Sequence, residues 1–168
     1  ITREISFNEP TYRRWSINRV RLNDIKDRSS ARKYMNVYLK YNLDVKIFMD
    51  INLQKDSNEV QLVTILDPFT SYSNLSNSPN SIAFVNMYFD LVEIKKRELE
   101  RKIKTSLNVK EIKLLYEETN AELIDISRDF FTETAGGTNK TGMSEWNEYV
   151  YRQLGIDNLE LFKVEFKY

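Results

Sequence analysis

Apolar and polar residues alternate with a period of two between residues 43 and 53. The apolar positions are Leu43, Val45, Ile47, Met49, Ile51 and Leu53. This period predicts a β-strand with one buried face, because successive side chains of a strand point to opposite sides. Residues 55–58 are turn formers, and residues 59–66 have the character of a returning strand. The pattern therefore predicts an antiparallel β-hairpin over residues 43–66.

A long helical hairpin is predicted over about residues 81–133. Its first helix runs to about Leu107, and its second begins at Asn108, where Glu111 three residues later completes a capping-box pattern. The connection is only a residue or two long. We therefore expect the two helices to be antiparallel neighbours.

Apolar residues are unevenly distributed along this helical hairpin. Residues 82–92 are almost all apolar, whereas residues 95–104 are charged except for Leu99 and Ile103. The second helix has a narrow apolar seam near its start and a wide one near its end. An antiparallel arrangement places the two wide halves side by side. We therefore expect a buried base and a protruding, charged stalk.

The remaining segments give weaker signals, and together they define the expected fold. A short helix over residues 144–154 ends at Gly155, and residues 159–168 alternate like a strand that pairs back into the sheet. The other predicted elements are strands within residues 5–7 and 12–22, a helix over residues 29–42 and a surface loop over residues 69–80. The sequence thus predicts one α+β domain, residues 1–168. It combines a small antiparallel sheet of about four to five strands with the helical hairpin and one or two short helices.

The composition is that of a folded domain. Of the 168 residues, 41% are hydrophobic and 30% are charged, and the formal net charge is zero. No apolar stretch approaches the roughly 18 residues of a membrane span, so we expect no membrane partner. Because the first residue is Ile1 rather than Met, we expect a fragment or a processed chain. An intracellular or virion-associated location is favoured over secretion.

The chain contains no histidine and no cysteine. Their absence excludes Ser-His catalysis, thiolate zinc sites and a cysteine nucleophile. Carboxylate chemistry with a hard cation is the main alternative that remains. Asp44 and Lys46 on the predicted strand, downstream of Asp24 and Asp27, loosely imitate the pattern of metal-dependent nucleases. A nuclease or hydrolase that uses these carboxylates and a metal ion is the third and most distant hypothesis. In the favoured hypothesis we expect no cofactor.

Two further motifs have ordinary structural explanations. Glu118, Glu122, Asp125 and Asp129 form an acidic stripe on the second long helix, which we interpret as a solvated face or a dock for a basic segment rather than a metal site. Residues 136–142 resemble a phosphate-binding loop, but Asn139 stands where that loop requires glycine. We therefore predict a turn between helices.

Charge is segregated along the chain. Residues 1–40 hold ten basic and four acidic residues, a net charge of +6, so the remainder carries −6. Aromatic residues are interleaved with the bases, as in surfaces that contact phosphates and stack on bases. The segment could instead pack on its own domain's acidic helix face or on a neighbouring subunit. The candidate basic surface comprises Arg13, Arg14, Trp15, Arg19, Arg21, Arg32 and Lys33.

The favoured hypothesis is a non-catalytic assembly or interaction subunit of a larger complex, with protein subunits as its partners. The composition is rich in Asn, Ile, Lys and Tyr. On this basis, the specific form of the hypothesis is a structural component of a virus or phage. The alternative is a nucleic-acid-binding or regulatory module that uses the basic, aromatic N-terminal segment.

Overall fold

The computed structural model describes residues 12–25, 40–53, 58–104 and 107–166. It confirms the α+β class, with a small antiparallel sheet and three helices longer than a few turns. The strands are β1 (Arg13–Arg14), β2 (Tyr41–Asn42), β3 (Val45–Leu53), β4 (Asn58–Leu66) and β5 (Tyr72–Ser73). The helices are α1 (Pro79–Lys102), α2 (Val109–Thr134), α3 (Lys140–Leu154) and α4 (Asn158–Leu161).

The predicted β-hairpin forms the centre of the sheet. Strands β3 and β4 are antiparallel, with Ile47 opposite Thr64, and β1 adds to the other edge of β4. Strands β2 and β5 make a separate two-stranded pair. The expected alternation is confirmed, because Ile47 is 1% exposed and its neighbour Phe48 is 38% exposed. It stops before Leu53, which is exposed at the end of the strand.

Helix α1 is the central element of the core. It packs against β3, β4, α2, α3 and α4, so every residue from Ala83 to Ile94 is buried. Pro79 occupies its first turn, and the Ser78 hydroxyl caps it by accepting from the Ser81 amide. The prediction that the apolar half of this helix is buried is confirmed.

The capping box of α2 is also confirmed, but two details of the helical hairpin are not. The Asn108 side chain accepts from the Glu111 amide and the Glu111 carboxylate accepts from the Asn108 amide. The connection is six residues long, 103–108, rather than one or two. The charged half does not stand free as a stalk, since Leu99 and Ile112 are completely buried.

The β-hairpin contacts both long helices. Both β3 and β4 pack along α1, and the Tyr116 hydroxyl of α2 donates to the carbonyl of Ile47 at 2.7 Å. The first half of α2 therefore contacts the sheet at Tyr116. A linear sequence pattern does not reveal this contact, because it depends on where a distant hairpin lies.

The C-terminal strand prediction is wrong for the described residues 159–166. Gly155 ends α3 in a left-handed conformation, as expected, and Asp157 then caps the short helix α4. The alternating side chains Phe162, Val164 and Phe166 are packed against the core without joining a sheet. Burial on one side thus produced a strand-like pattern in a segment that is not a strand.

Several smaller predictions also need correction. Within residues 12–22 only β1 is a strand, and Tyr41 and Asn42 belong to β2 rather than to the end of a helix. The segment 69–80 is not wholly a surface loop, because Ser71 and Tyr72 are buried where β5 pairs with β2. Helix α3 begins earlier than expected, with Asn139 as its cap. The predicted elements at residues 5–7 and 29–39 lie outside the described residues.

Among the described helices, none combines the length and the apolar character that crossing a membrane requires.

Candidate functional site

Asn86 of α1 holds the segment of residues 15–25, here called the N-terminal strap, against the core. Its side-chain oxygen accepts from the Val20 amide at 2.8 Å, and its side-chain nitrogen donates to the Val20 carbonyl at 2.8 Å. The same nitrogen donates to the Ile82 carbonyl at 2.9 Å. A buried amide thus replaces the backbone partner that an extended strand would otherwise need.

Asp90 lies one turn further along α1, and its side chain is completely buried. Its carboxylate accepts from Arg19 through both terminal nitrogens, at 2.9 and 2.5 Å. It also accepts from the Trp15 indole at 2.7 Å and from the Asn158 side chain at 2.8 Å. These donors replace the water that the carboxylate loses on burial. The strap is therefore fixed to α1 at two successive turns.

The Asp90 cluster extends into the C-terminal part of the chain. Asn158 of α4 also accepts from Arg19 at 2.8 Å. The Asn147 side chain of α3 accepts from the Asn158 amide at 2.8 Å and donates to Asp157 at 2.9 Å. Residues far apart in sequence are thereby joined into one buried polar network, which positions the strap relative to α1, α3 and α4.

A groove with a volume of about 490 Å³ lies beside the strap. The described residues that line it are Arg19, Val20, Arg21, Leu22, Asn23, Asn77, Ile82 and Phe162. They come from the strap, the segment before α1, α1 itself and the segment after α4. The lining is about equally polar and apolar, with four polar or charged residues beside four apolar ones. A concave site of this size can hold a few side chains of a ligand.

Two arginines of the groove differ in their electrostatic state. Arg19 is mostly buried, and its charge is balanced by Asp90. Arg21 is exposed, and within the described part of the chain no carboxylate lies within ion-pairing distance of its guanidinium. Among the described residues that line the groove, Arg21 therefore carries the uncompensated positive charge.

The structure separates the residues of the predicted basic surface. Arg13 forms an ion pair with Asp24 at 2.5 Å, and Trp15 donates to Asp90 while Arg97 lies 5.1 Å from its ring centre. Arg14 is exposed on β1. Arg19 and Arg21 are brought together at the groove, whereas Arg32 and Lys33 lie outside the described residues.

Asp44 and Lys46 are close together, as a nuclease-like site would require, with 3.3 Å between the ammonium and the carboxylate. The second carboxylate near Lys46 is Asp67, at 3.8 Å. It is not Asp24, which pairs with Arg13, and Asp27 is outside the described residues. Thr70 donates to Asp44 at 2.5 Å. The Lys46 ammonium thus lies between the carboxylates of Asp44 and Asp67.

The acidic stripe of α2 is an exposed and partly neutralised helix face. Lys95 contacts Glu98 at 2.8 Å and Glu122 at 3.0 Å. Burial alone would lower the pKa of Lys95, but the hydrogen bonds that its ammonium donates to Glu98 and Glu122 outweigh this effect, and the pKa is raised. The hydrogen bond from Lys95 lowers the pKa of Glu122. No group of three or more potential metal ligands occurs among the described residues.

The glycine-rich segment is a turn between α2 and α3, as predicted. Gly136 and Gly137 adopt positive φ angles of 67° and 94°, and Asn139 accepts from the Thr141 amide at the start of α3.

Arg19 and Arg21 were included in the predicted basic surface, but the buried polar residues of α1 that hold the strap were missed by sequence reasoning. Asn86, Asp90 and Glu93 are spaced by four and three residues within a segment that is otherwise apolar. On a helix this spacing forms one polar stripe, and polar residues on a buried helix need specific partners. The stripe was therefore a usable signal for a buried network, although its partners Arg19 and Asn158 could not be derived from it.

Comparison with protein-family models, curated proteins and solved structures finds no match to this chain.

Proposed function

We propose that the protein is a non-catalytic interaction subunit that receives a segment of a partner protein in the groove beside the N-terminal strap. The observation that carries this proposal is the chemistry of the groove wall. Its described side chains are guanidinium, amide, aliphatic and phenyl groups. They can form hydrogen bonds, ion pairs and apolar contacts.

The same side chains are poor candidates for catalysis. General acid-base chemistry needs a group that gains and loses a proton near neutral pH, and arginine remains protonated while amides do not titrate. A nucleophile such as a hydroxyl, thiol, amine or carboxylate is also missing from the described lining. This composition supports binding without turnover.

The construction of the groove further supports binding. The strap that forms one wall is held by Asn86 and Asp90 through buried hydrogen bonds rather than by pairing with the sheet at residues 19–23. A wall fixed in this way needs little ordering when a partner binds, which lowers the entropic cost of association.

Nucleic-acid binding is the second proposal. It depends on several cations that neutralise phosphates. In the described part of the basic segment, Arg13 and Arg19 already pair with Asp24 and Asp90. Two of these cations are therefore already engaged, which favours a protein partner over a series of phosphates.

Site-specific photo-crosslinking in cells that naturally express the protein tests the proposed function. A photoreactive amino acid replaces Asn23, which is exposed at the groove, and a control variant carries it at Ser144, which is exposed on α3. We expect one discrete crosslinked protein species from position 23 and not from position 144. Identical crosslinking from both positions, or crosslinking only to nucleic acid, would contradict the proposal.

A further inference from the structure

We infer that the groove recognises an acidic residue that neighbours an apolar residue in the partner segment, with Arg21 as the residue that determines the specificity for the acid. This inference rests on the proposed function and adds the chemistry of the ligand. It follows from how charge and apolar surface are distributed around the groove.

The positive charge of the groove is localised at Arg21. Asp90 neutralises Arg19 with two hydrogen bonds, and the bond to Asn158 further engages that guanidinium. Arg21 has no such carboxylate in the described part of the chain. A carboxylate from the partner would complete a pair with a fork-shaped donor, which arginine forms with planar acceptors.

The groove also offers apolar surface to a ligand. Leu22, Ile82 and Phe162 contribute hydrocarbon surface to the same groove, and all three are only partly buried in the isolated chain. Covering them with an aliphatic or aromatic side chain removes this surface from water. Asn23 and Asn77 supply amide groups that can bond to polar atoms beside the acidic side chain.

The size and charge of the groove favour a peptide segment over a nucleic-acid strand. A volume of about 490 Å³ accommodates a few side chains. A nucleic acid presents a series of phosphates, whereas the described lining of the groove offers one uncompensated cation. A single carboxylate beside an apolar side chain matches Arg21 and the apolar residues of the described lining.

The test compares two short peptides that differ in one group. Both are blocked at their ends and carry Leu-Asp or Leu-Asn between glycines, and each is titrated into the isotopically labelled full chain while amide resonances are followed by NMR. We expect resonance shifts at residues 19–23 and near Phe162, with the Asp peptide binding about tenfold more tightly than the Asn peptide. An Arg21→Gln variant should lose this difference.

Arg128→Gln provides the matched control, because Arg128 is an exposed arginine on α2 that does not line the groove. This variant should retain the preference for Asp. Equal affinity for the two peptides in the wild-type chain would overturn the inference, as would tighter binding of an oligothymidine at the same residues. If photo-crosslinking at residue 23 still captures a protein in that case, the proposed function stands and only the ligand chemistry is wrong.

Discussion

Arg19 and Asp90, 71 residues apart in sequence, form an ion pair whose carboxylate is completely buried. The pair also joins Trp15 and Asn158, so it connects the strap, α1 and α4. Burying a charge is costly unless its partners are retained. The pair therefore contributes to the free energy of unfolding mainly because neither charge is left buried without its partner.

Asp90→Ala should destabilise the fold by about 3 to 5 kcal/mol, because it leaves the buried guanidinium of Arg19 without its carboxylate. The free energy of unfolding from urea titration measures the loss. The double variant Arg19→Met with Asp90→Leu should recover a large part of it, since neither side chain then carries a charge. A double variant as unstable as Asp90→Ala would contradict this explanation.

Asn86→Leu should release the N-terminal strap. It removes both side-chain bonds to Val20 and leaves a buried amide and carbonyl without partners, at a cost of about 1 to 3 kcal/mol for each unsatisfied group. Trypsin cleavage after Arg21 should therefore become faster under native conditions. Asn120→Leu on α2 is the control. Equal cleavage rates in the Asn86→Leu and wild-type chains would show that the strap is held by other contacts.

Gly142→Ala should destabilise the protein by about 3 kcal/mol or more, at the upper end of overpacking effects. A Cβ atom at this position would lie 2.1 Å from the carbonyl oxygen of Glu133, and the backbone would have to move. Gly155→Ala provides the comparison, because its Cβ would meet no atom within 4 Å. Its cost should be only about 1 to 2 kcal/mol, from the positive φ of 71°. Thermal unfolding of both variants tests this order.

Alkaline pH should destabilise the fold through buried tyrosines. Burial raises the pKa values of Tyr88, Tyr41 and Tyr149 above the ordinary value of 10.0. The folded chain therefore holds these protons more tightly than the unfolded chain. The free energy of unfolding should be insensitive to these groups below about pH 10, and it should fall as the pH rises from there through the raised pKa values.

Tyr88→Phe measures how much the Tyr88 phenol contributes to the alkaline decrease in the free energy of unfolding. The variant should lose about 1 kcal/mol at neutral pH, because the hydrogen bond to Ser127 is removed, and its alkaline decrease should be smaller than in the wild type. Tyr151→Phe, which removes an exposed phenol, serves as the control. Urea titrations between pH 9 and 11 provide the measurement. An unchanged alkaline decrease in Tyr88→Phe would exclude Tyr88 as a contributor.

Short sequence patterns correctly predicted the elements that depend on neighbouring residues in the chain. The period of two in β3, the capping box at Asn108 and the buried apolar half of α1 were all readable in the sequence. The strand expected at residues 159–168 failed because Phe162, Val164 and Phe166 bury one side without pairing. Alternation reports one-sided burial, and it cannot distinguish a paired strand from an extended segment packed on helices.

The candidate site depended on contacts that no local pattern contains. The sequence identified Arg19 and Arg21 as two members of one basic surface. The fold gives them different states, because Asp90 and Asn158 approach Arg19 from two distant segments and leave Arg21 exposed. The charge of a residue is visible in the sequence, but its compensation is a property of the tertiary structure.

Hydrogen exchange measures whether the groove beside the strap receives a partner segment. Amide exchange is measured by mass spectrometry in the isolated chain and in the complex purified from cells that naturally express it. We predict that binding slows exchange at residues 19–23 and around Phe162, while the exposed face of α2 is unchanged. Unaltered exchange at the groove, with new protection only elsewhere, would contradict the account.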